Sequence, residues 1–339
     1  MIDEYKDVSL RALNTLGIDA RCGRLVEFSD AGDLPEIFAR PEIAGGRWAV
    51  LGGGSNILFT GDFCGTLLRP VGRAIAIVSD DGVQAVVRAE AGVAWDDFVA
   101  WTVGHGLWGA ENLSHIPGTV GAAPVQNIGA YGVEAKDIVH SVEMYDAVTG
   151  KMVTLPGGHC DFGYRDSVFK RLLKGRVVIT AVSFTLSRKA RPQLDYGDLR
   201  ASVEALNYGA TLENIRTAVV AIRRSKLPEP SEMGNAGSFF KNPVVPTAVA
   251  EKLLAAYPDM PVYPAVGDDR RKLAAGWLID RCGWKGRSLG RAGVHARQAL
   301  VLVNLGGATG REILALAEQV AADVRAKFGV ELETEVNVW

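Results

Sequence analysis

The sequence predicts an α+β protein of two or three domains, and three observations carry that expectation. At 339 residues the chain is longer than one hydrophobic core usually holds. Strand-like segments separated by turns run to about residue 210 and helical segments dominate after it, which is an α+β order. The 39 glycines gather in a few segments, which suggests backbone wrapped closely around a ligand.

Composition narrows the function. With 48% hydrophobic and 22% charged residues the chain reads as an ordinary soluble globular protein. A net charge of −2 argues against a broad nucleic-acid-binding face, although local basic clusters can still hold a small anion. No apolar run is long enough to cross a bilayer, and Met1 to Lys6 is too charged and polar for a secretory leader. Cys22, Cys64, Cys160 and Cys282 lie far apart without a CxxC pair, as reduced thiols of a cytoplasmic protein would. His105, His115, His140, His159 and His295 are scattered, none with a ligand partner four residues on, so no metal site is expected.

In chain order, residues 13 to 18 form a turn-like entry, and Asp33 is placed to cap a short helix ending near Arg40. Arg47 to Leu51 is an apolar strand running into Gly52-Gly53-Gly54-Ser55-Asn56, after which strand resumes at Ile57 and Leu58. This loop lacks the G-x-G-x-x-G spacing and following helix of a dinucleotide-binding unit, and the Lys-Ser/Thr ending of a P-loop. Its backbone N–H groups can still form an anion nest, with a plain tight turn as the other reading. Strands and turns alternate over 65 to 90, and Ala94 to His105 carries Trp95, Phe98, Val99, Thr102 and Val103 at helical spacing as a core-facing stripe.

Ser114 to Gly132 carries no charge apart from a protonated His115 and is built of small residues and glycines. A solvated loop would carry more charge, so this stretch reads as a wall for a large planar or phosphorylated ligand, or else as a close-packed helix contact. Val139 to Ala147 and Val177 to Leu186 alternate like strands. Between them Arg165 stands as a positioned cation or as the partner of neighbouring Asp166. Tyr196-Gly197-Asp198-Leu199 lies in a turn-rich stretch able to move. Thr211 caps a helix through Arg224, ended by Pro228 and Pro230, with Arg223, Arg224 and Lys226 as a basic cluster at its end.

Gly234 to Pro243 packs two glycines, Ser238, two phenylalanines, Lys241 and Asn242 into ten positions, as a ligand-approaching segment or a half-buried strand. Helices are expected over Pro246 to Ala256, Lys272 to Cys282 and Thr309 to Phe328, a buried strand over Ala299 to Val303, and a half-buried strand from Val330 to Val338.

These motifs, in this order and over nearly the whole length, resemble the UDP-N-acetylenolpyruvoylglucosamine reductase (MurB) family of bacterial cell-wall precursor synthesis. The marks are Gly52-Gly53-Gly54-Ser55-Asn56, Ile116-Pro117-Gly118, Gln126-Asn127-Ile128-Gly129-Ala130-Tyr131-Gly132, Tyr164-Arg165-Asp166-Ser167, Lys226-Leu227-Pro228, Gly237 to Pro243, Ala275 to Ile279, His295, Gln298 and Glu335. Tyr196 in its Tyr-Gly-Asp-Leu setting resembles the family's first type, in which a tyrosine loop closes over the substrate. Gly53 is a departure, since many members carry an acidic residue there, but the nest depends on backbone donors.

The resemblance implies a two-subdomain FAD-binding module of the vanillyl-alcohol oxidase and p-cresol methylhydroxylase kind, plus a separate α+β substrate-binding domain. Residues 1–70, completed by a strand at 330–339, would form the first FAD subdomain, 71–210 the second, and 211–329 the substrate domain. Non-covalent FAD would contact Gly52, Gly53, Gly54, Ser55, Asn56, Ile116, Pro117, Gly118, Gln126, Asn127, Gly129, Ala130 and Tyr131. Ser55-Asn56 offers no histidine for covalent attachment, which speaks against the flavin oxidases of the same fold.

NADPH would reduce FAD, and the flavin would then reduce UDP-N-acetylglucosamine enolpyruvate to UDP-N-acetylmuramate. Arg165 would meet the developing enolate charge, Ser238 would give the proton to the α-carbon, and Glu335 would polarise the same carboxylate. Burial beside anionic groups would raise the Glu335 pKa to suit. Tyr164, Tyr196, Lys226, Asn242, Tyr263, Lys285 and Gln298 match positions that hold the nucleotide sugar or NADPH. The chain is expected to act as a cytoplasmic monomer, without nucleic-acid or membrane partners. A non-catalytic nucleotide-sugar binder is the reading from a different class, and the joint presence of Arg165, Ser238 and Glu335 argues against it.

Overall fold

The computed structural model describes residues 1–207 and 209–339. They form two compact units: Met1–Val8, Cys22–Gly54 and Cys64–Ser225 in the first, Ser9–Arg21, Ser55–Phe63 and Lys226–Trp339 in the second. Among the described residues no helix is long and apolar enough to cross a membrane.

The first unit holds two sheets. One has the order β1 (Ile2–Ser9), β2 (Arg21–Phe28), β5 (Phe63–Pro70), β3 (Trp48–Val50). Val26, Phe28 and Leu68 bury their side chains with Leu34 and Ile37 of α1 (Leu34–Ala39) and Ile43 of α2 (Pro41–Ala44). β3 runs parallel to β5, with Val50 opposite Leu68, and so delivers the chain to the Gly52–Gly54 loop.

The other sheet is antiparallel, in the order β11 (Lys151–Pro156), β10 (Val139–Asp146), β12 (Val177–Ser187), β7 (Gln84–Glu90), β6 (Ile75–Asp80). The alternate residues Ala85, Val87 and Ala89 face the core, as a period of two requires. There α3 (Trp95–Gly104) sets Trp95 and Phe98 against Phe184, with ring centroids 5.7 and 4.5 Å away. Truncating a buried phenylalanine of this kind to alanine costs about 3–5 kcal/mol. The glycine-rich stretch leaves α3 and includes a short hairpin of β8 (Gly129–Ala130) and β9 (Val133–Glu134). Beyond β12, α4 (Leu199–Glu204) and α5 (Leu212–Lys226) bury Leu199, Val203, Ile215, Ala218 and Val219 in a small core of their own.

In the second unit β13 (Gly234–Ser238), β19 (Val301–Asn304), β18 (Ala292–Val294) and β17 (Ser288–Leu289) make an antiparallel sheet in that order. α8 (Gly310–Phe328) packs on β18, β19 and α7 (Ala275–Arg281). Its start is set by a reciprocal capping box of Thr309 and Glu312, and its end by Gly329 at φ 68°. A second sheet orders β14 (Val244–Pro246), β16 (Arg270–Leu273) and β15 (Val262–Pro264), joined by α6 (Thr247–Ala256). β4 (Ile57–Leu58) pairs in parallel with β20 (Asn337–Val338).

Three local expectations are corrected. Lys272 lies in β16, opposite Val244 and Tyr263, so the helix expected from Lys272 begins only at Ala275. The half-buried strand expected over Val330 to Val338 reduces to β20 and a single bridge at Thr334. Its backbone changes partners on the way: Glu333 and Glu335 bond Lys241 and Phe239, then Asn337 bonds Asn56. Asp33 precedes α1 but makes no side-chain cap, because its carboxylate receives the Met1 ammonium at 2.8 Å, while Asp30 caps the turn at the Gly32 N–H.

Candidate active site

In the first unit the two expected cofactor loops meet backbone to backbone. A Cβ built on Gly53 would lie 3.0 Å from the Gly118 Cα, and one on Gly52 would lie 2.8 Å from the Thr119 Oγ1. Glycine at both positions spares these tight contacts. Gly54, His115, Gly118, Asn127 and Tyr131 all have positive φ, so the chain here repeatedly turns its N–H groups out of helix or sheet ladders. The Ile116–Gly118 segment is anchored at its end by the Trp95 N–H on the Gly118 carbonyl at 3.0 Å.

Arg165 closes the same unit's glycine stretch from another side. Its own φ is 55°, and its guanidinium donates to the carbonyls of Gly129 at 2.8 Å and Asn127 at 3.5 Å. The Tyr164 ring lies 5.5 Å from the guanidinium carbon. A Cβ on Gly129 would stand 3.0 Å from the Arg165 Nη1 and 3.1 Å from the Val133 carbonyl, so the glycine makes room for the arginine. Neighbouring Asp166 pairs with Arg171, not Arg165.

Asn127 is fully buried. Its Nδ2 donates to Glu134 Oε2 at 3.0 Å and the Gly163 carbonyl at 2.9 Å, and its Oδ1 accepts the Lys136 N–H at 2.9 Å. The amide is thus spent on tying the wall to the Arg165 turn. Gln126 and Ala130 are half-buried on either side of it. Tyr131 lies edge-on to Tyr196 at 6.0 Å between centroids, and Tyr196 is 53% exposed. The stretch before Tyr196 is tied down by Asn112, whose Nδ2 donates to both the Tyr131 and Gln193 carbonyls, at 2.9 and 2.8 Å.

In the second unit Ser238 ends β13 after a bulge. Asn235 pairs with Val303 and Ser238 with Val301, so Gly237, at φ 68°, falls in the irregularity. Asn235, 4% exposed, builds this bulge: its Oδ1 accepts the Gly237 N–H at 3.0 Å, and its Nδ2 donates to the Pro228 and Met233 carbonyls at 3.0 and 2.9 Å. Sequence reasoning missed Asn235; an Asx residue two before a glycine was the signal that pointed to it.

Next to the bulge Phe239 and Phe240 are buried, 5.3 Å apart and edge to face. The Glu335 N–H donates to the Phe239 carbonyl at 2.8 Å, and the Lys241 N–H to the Glu333 carbonyl at 2.9 Å. Glu335 is thus paired with the residue that follows Ser238, from segments nearly a hundred residues apart. Asn56 Nδ2 donates to the Glu335 carbonyl at 3.2 Å, so the first glycine motif also supports this pair. Ser55 is half-buried beside it in the chain.

The other expected substrate residues of this unit have visible work. Asn242 Oδ1 accepts the Ala275 N–H at 2.9 Å at the start of α7. Gln298 Oε1 accepts the Leu300 N–H at 3.3 Å. Lys285 reaches Asp280 at 3.2 Å, Tyr263 stands exposed opposite Lys272, and Lys226 is exposed at the end of α5. His295 is 7% exposed, with a buried Nδ1 that has no hydrogen-bond partner among the described residues. Burial, with Arg297 nearby, holds its imidazole pKa below the ordinary value and so favours the neutral ring.

Comparison with known proteins decides the family. The FAD-binding domain model matches residues 24–156, and the model of the UDP-N-acetylenolpyruvoylglucosamine reductase C-terminal domain matches residues 229–339. The reductase of Burkholderia pseudomallei strain 668 is 51% identical over 332 residues, 97% of this chain and 95% of that protein. The chain belongs to the UDP-N-acetylenolpyruvoylglucosamine reductase family. The reductase of Burkholderia cenocepacia strain HI2424 is also 51% identical, with the same coverage.

The crystal structure of the Thermus caldophilus reductase (MurB) superposes with a TM-score of 0.70 at 23% identity, over 100% of this chain and 99% of that one, and shows the fold. The expected α+β class, an FAD-binding domain with a reductase C-terminal domain, is therefore the class this chain has. For a member of this reductase family, the uncharged glycine wall, with its left-handed N–H groups and the Arg165 fork at its margin, has the donor set that a planar, phosphorylated cofactor requires. Gly53, where the sequence departs from many members, is one of the two glycines whose backbones touch.

Proposed function

We propose that this chain reduces UDP-N-acetylglucosamine enolpyruvate to UDP-N-acetylmuramate, with NADPH as the reductant, as a peptidoglycan-precursor enzyme of the cytoplasm. The observation that supports this chemistry is the backbone bond from Glu335 to Phe239, the residue that follows Ser238 after the bulge. When bound, FAD supplies a two-electron relay from NADPH to the β-carbon of the enolpyruvyl group.

The protein's own residues do the rest. The Ser238 hydroxyl gives a proton to the α-carbon, a step a serine can perform only for a strongly basic enolate held close to it. Arg165 brings a permanent charge in fork geometry to the enolate and carboxylate oxygens. Glu335 shares a proton with that carboxylate, so that negative charge is not piled on one atom. Gly52, Gly53 and Gly54, with Ser55 and Asn56, and the Ile116–Gly118 segment offer backbone donors to the cofactor's phosphates. Gln126 to Tyr131 shield the cofactor's ring from water.

Asn127 serves this wall by fixing its shape, since its amide is already occupied. Tyr164, Tyr196, Lys226, Tyr263 and Lys285 contact the nucleotide sugar or NADPH, and Asn242 and Gln298 hold local backbone for that contact. Residues 1–70 with 330–339 and residues 71–210 serve as the two cofactor subdomains, and 211–329 as the substrate domain. The protein works as a monomer.

The test follows NADPH absorbance and dissolved oxygen together. Beyond one equivalent per flavin, NADPH should be consumed only when the enolpyruvyl sugar nucleotide is present, in equal amounts and without oxygen uptake. Consumption matched by oxygen instead of sugar would make this an oxidase, and no consumption under any condition would make it a binding protein.

A further inference from the structure

The loop that begins the cofactor wall is gripped by residues that no step above uses. His115 holds a left-handed φ of 59°, a conformation that costs a non-glycine residue about 1–3 kcal/mol and persists only where its surroundings fix it. Both polar groups of its backbone are fixed. Its N–H donates to Asp96 Oδ1 at 2.5 Å, and its carbonyl accepts from Arg223 Nε at 3.1 Å. Asp96 is in turn held by a two-point fork from Arg216, at 2.6 and 2.8 Å.

The two arginines lie seven residues apart on α5, two turns along one face. Ile215, Ala218, Val219 and Ile222 of the same helix are seated in the core made with Leu194, Leu199 and Val203, which makes α5 a firm base for the grip. On the other side of the loop, Trp95 of α3 donates its Nε1–H to the Leu113 carbonyl at 2.9 Å and its N–H to the Gly118 carbonyl at 3.0 Å. The segment from Leu113 to Gly118 is therefore held at start, middle and end, and its middle hold is made of charge-assisted hydrogen bonds.

We propose that Asp96, Arg216 and Arg223 are positioning residues for the flavin: they clamp His115 in its left-handed conformation and so keep the Ile116 and Gly118 N–H groups aimed for the cofactor's phosphates. The inference rests on the proposed flavin role of that loop. A bidentate arginine–carboxylate pair suits the task because it fixes orientation as well as distance. The clamp joins α3 and the loop to α5, which lies more than a hundred residues further along the chain, so the wall keeps its shape without support from the ligand.

The experiment dilutes the flavin-loaded protein and follows free-FAD fluorescence, in the wild type and in Arg216→Met, Asp96→Asn, Arg223→Met and Arg216→Lys. The apparent FAD Kd should rise at least about tenfold in Arg216→Met and Asp96→Asn, the loss expected when charge-assisted hydrogen bonds are removed, with Arg216→Lys in between. With excess FAD, bleaching by NADPH should return to the wild-type rate.

Arg176→Met is the stability control. It breaks a similar fork to Asp146, at 2.6 and 3.0 Å in the same unit, and should lower the thermal midpoint without changing the FAD Kd. Unchanged FAD affinity in Arg216→Met, or equal weakening in Arg176→Met at matched stability loss, would overturn the clamp. Should Arg216→Met not fold, Arg223→Met, which leaves the Asp96 fork intact, decides by the same readout. A wild-type protein that holds no FAD at all would overturn the flavin reading itself, a result visible before any variant is made.

Discussion

Two buried asparagines do the same kind of work in different units. Asn127, in the first, is fully enclosed and ties the wall to the Arg165 turn through three hydrogen bonds. Asn235, in the second, is 4% exposed and folds the Gly237 bulge, again through three side-chain bonds. The surroundings differ. Around Asn127 the strain is borne by non-glycine residues, since Asn127, Tyr131 and Arg165 all have positive φ, and the group proposed to act is a guanidinium laid on carbonyls. Around Asn235 a glycine takes the unusual conformation within a strand ladder, and the group proposed to act is a hydroxyl at the strand's end. The first arrangement shapes a surface, whereas the second sets the backbone that leads to one residue.

The comparison has consequences that can be measured. Arg165→Met should slow reoxidation of the reduced protein by the sugar nucleotide by about 10²–10³-fold, the usual effect of removing a preorganised donor to a developing oxyanion. Stopped-flow absorbance of the flavin checks this, and Arg165→Lys should recover only part, because it lacks the fork.

The two asparagine variants should then separate. Asn235→Ala leaves the Gly237 N–H and two carbonyls without their partner, at about 1–3 kcal/mol for each group left unsatisfied. It should lower turnover more than FAD affinity. Asn127→Ala should do the reverse, and equal effects on both quantities would erase the distinction. Gly129→Ala should cost about 1–3 kcal/mol by overpacking against Val133 and the Arg165 guanidinium, read as a lower midpoint in urea.

A smaller effect concerns Glu111, which is 2% exposed and has its pKa raised by burial, partly offset by the Gly109 N–H. A carboxyl with a raised folded pKa contributes stability below the unfolded value, about 4.3, and loses it as pH rises through the folded one. Glu111→Gln should therefore match the wild type near pH 4 and gain on it by pH 7, by urea titration at both values. Asp96 has the opposite sign. Burial pushes its pKa up, but Arg216 and the His115 N–H together outweigh this and leave it lowered, so its contribution is present above the unfolded value, about 3.9, and is lost as pH falls through the folded one.

What the sequence made legible follows from where the information resides. α8 was readable because its capping box and closing glycine are local. The meeting of two glycine loops was signalled by their glycines, although not the contact of Gly53 with Gly118. Lys272 read as helix because its two cross-strand partners are tertiary. The C-terminal segment read as one strand because alternation does not reveal a change of partner midway. Arg165 beside Asp166 left a salt bridge open, and only the fold assigns that acid to Arg171. Asn235 stayed hidden for the same reason: the carbonyls of Pro228 and Met233 become its partners only once the bulge has formed.

The division of labour drawn here is tested most directly by Ser238→Ala under anaerobic conditions, with the two half-reactions timed separately. NADPH should bleach the flavin at the wild-type rate, and the enolpyruvyl sugar nucleotide should restore the colour at least about a hundredfold more slowly, the loss expected for a missing general acid. Equal slowing of both steps, or reoxidation at the wild-type rate, would contradict the assignment of Ser238 as the proton donor.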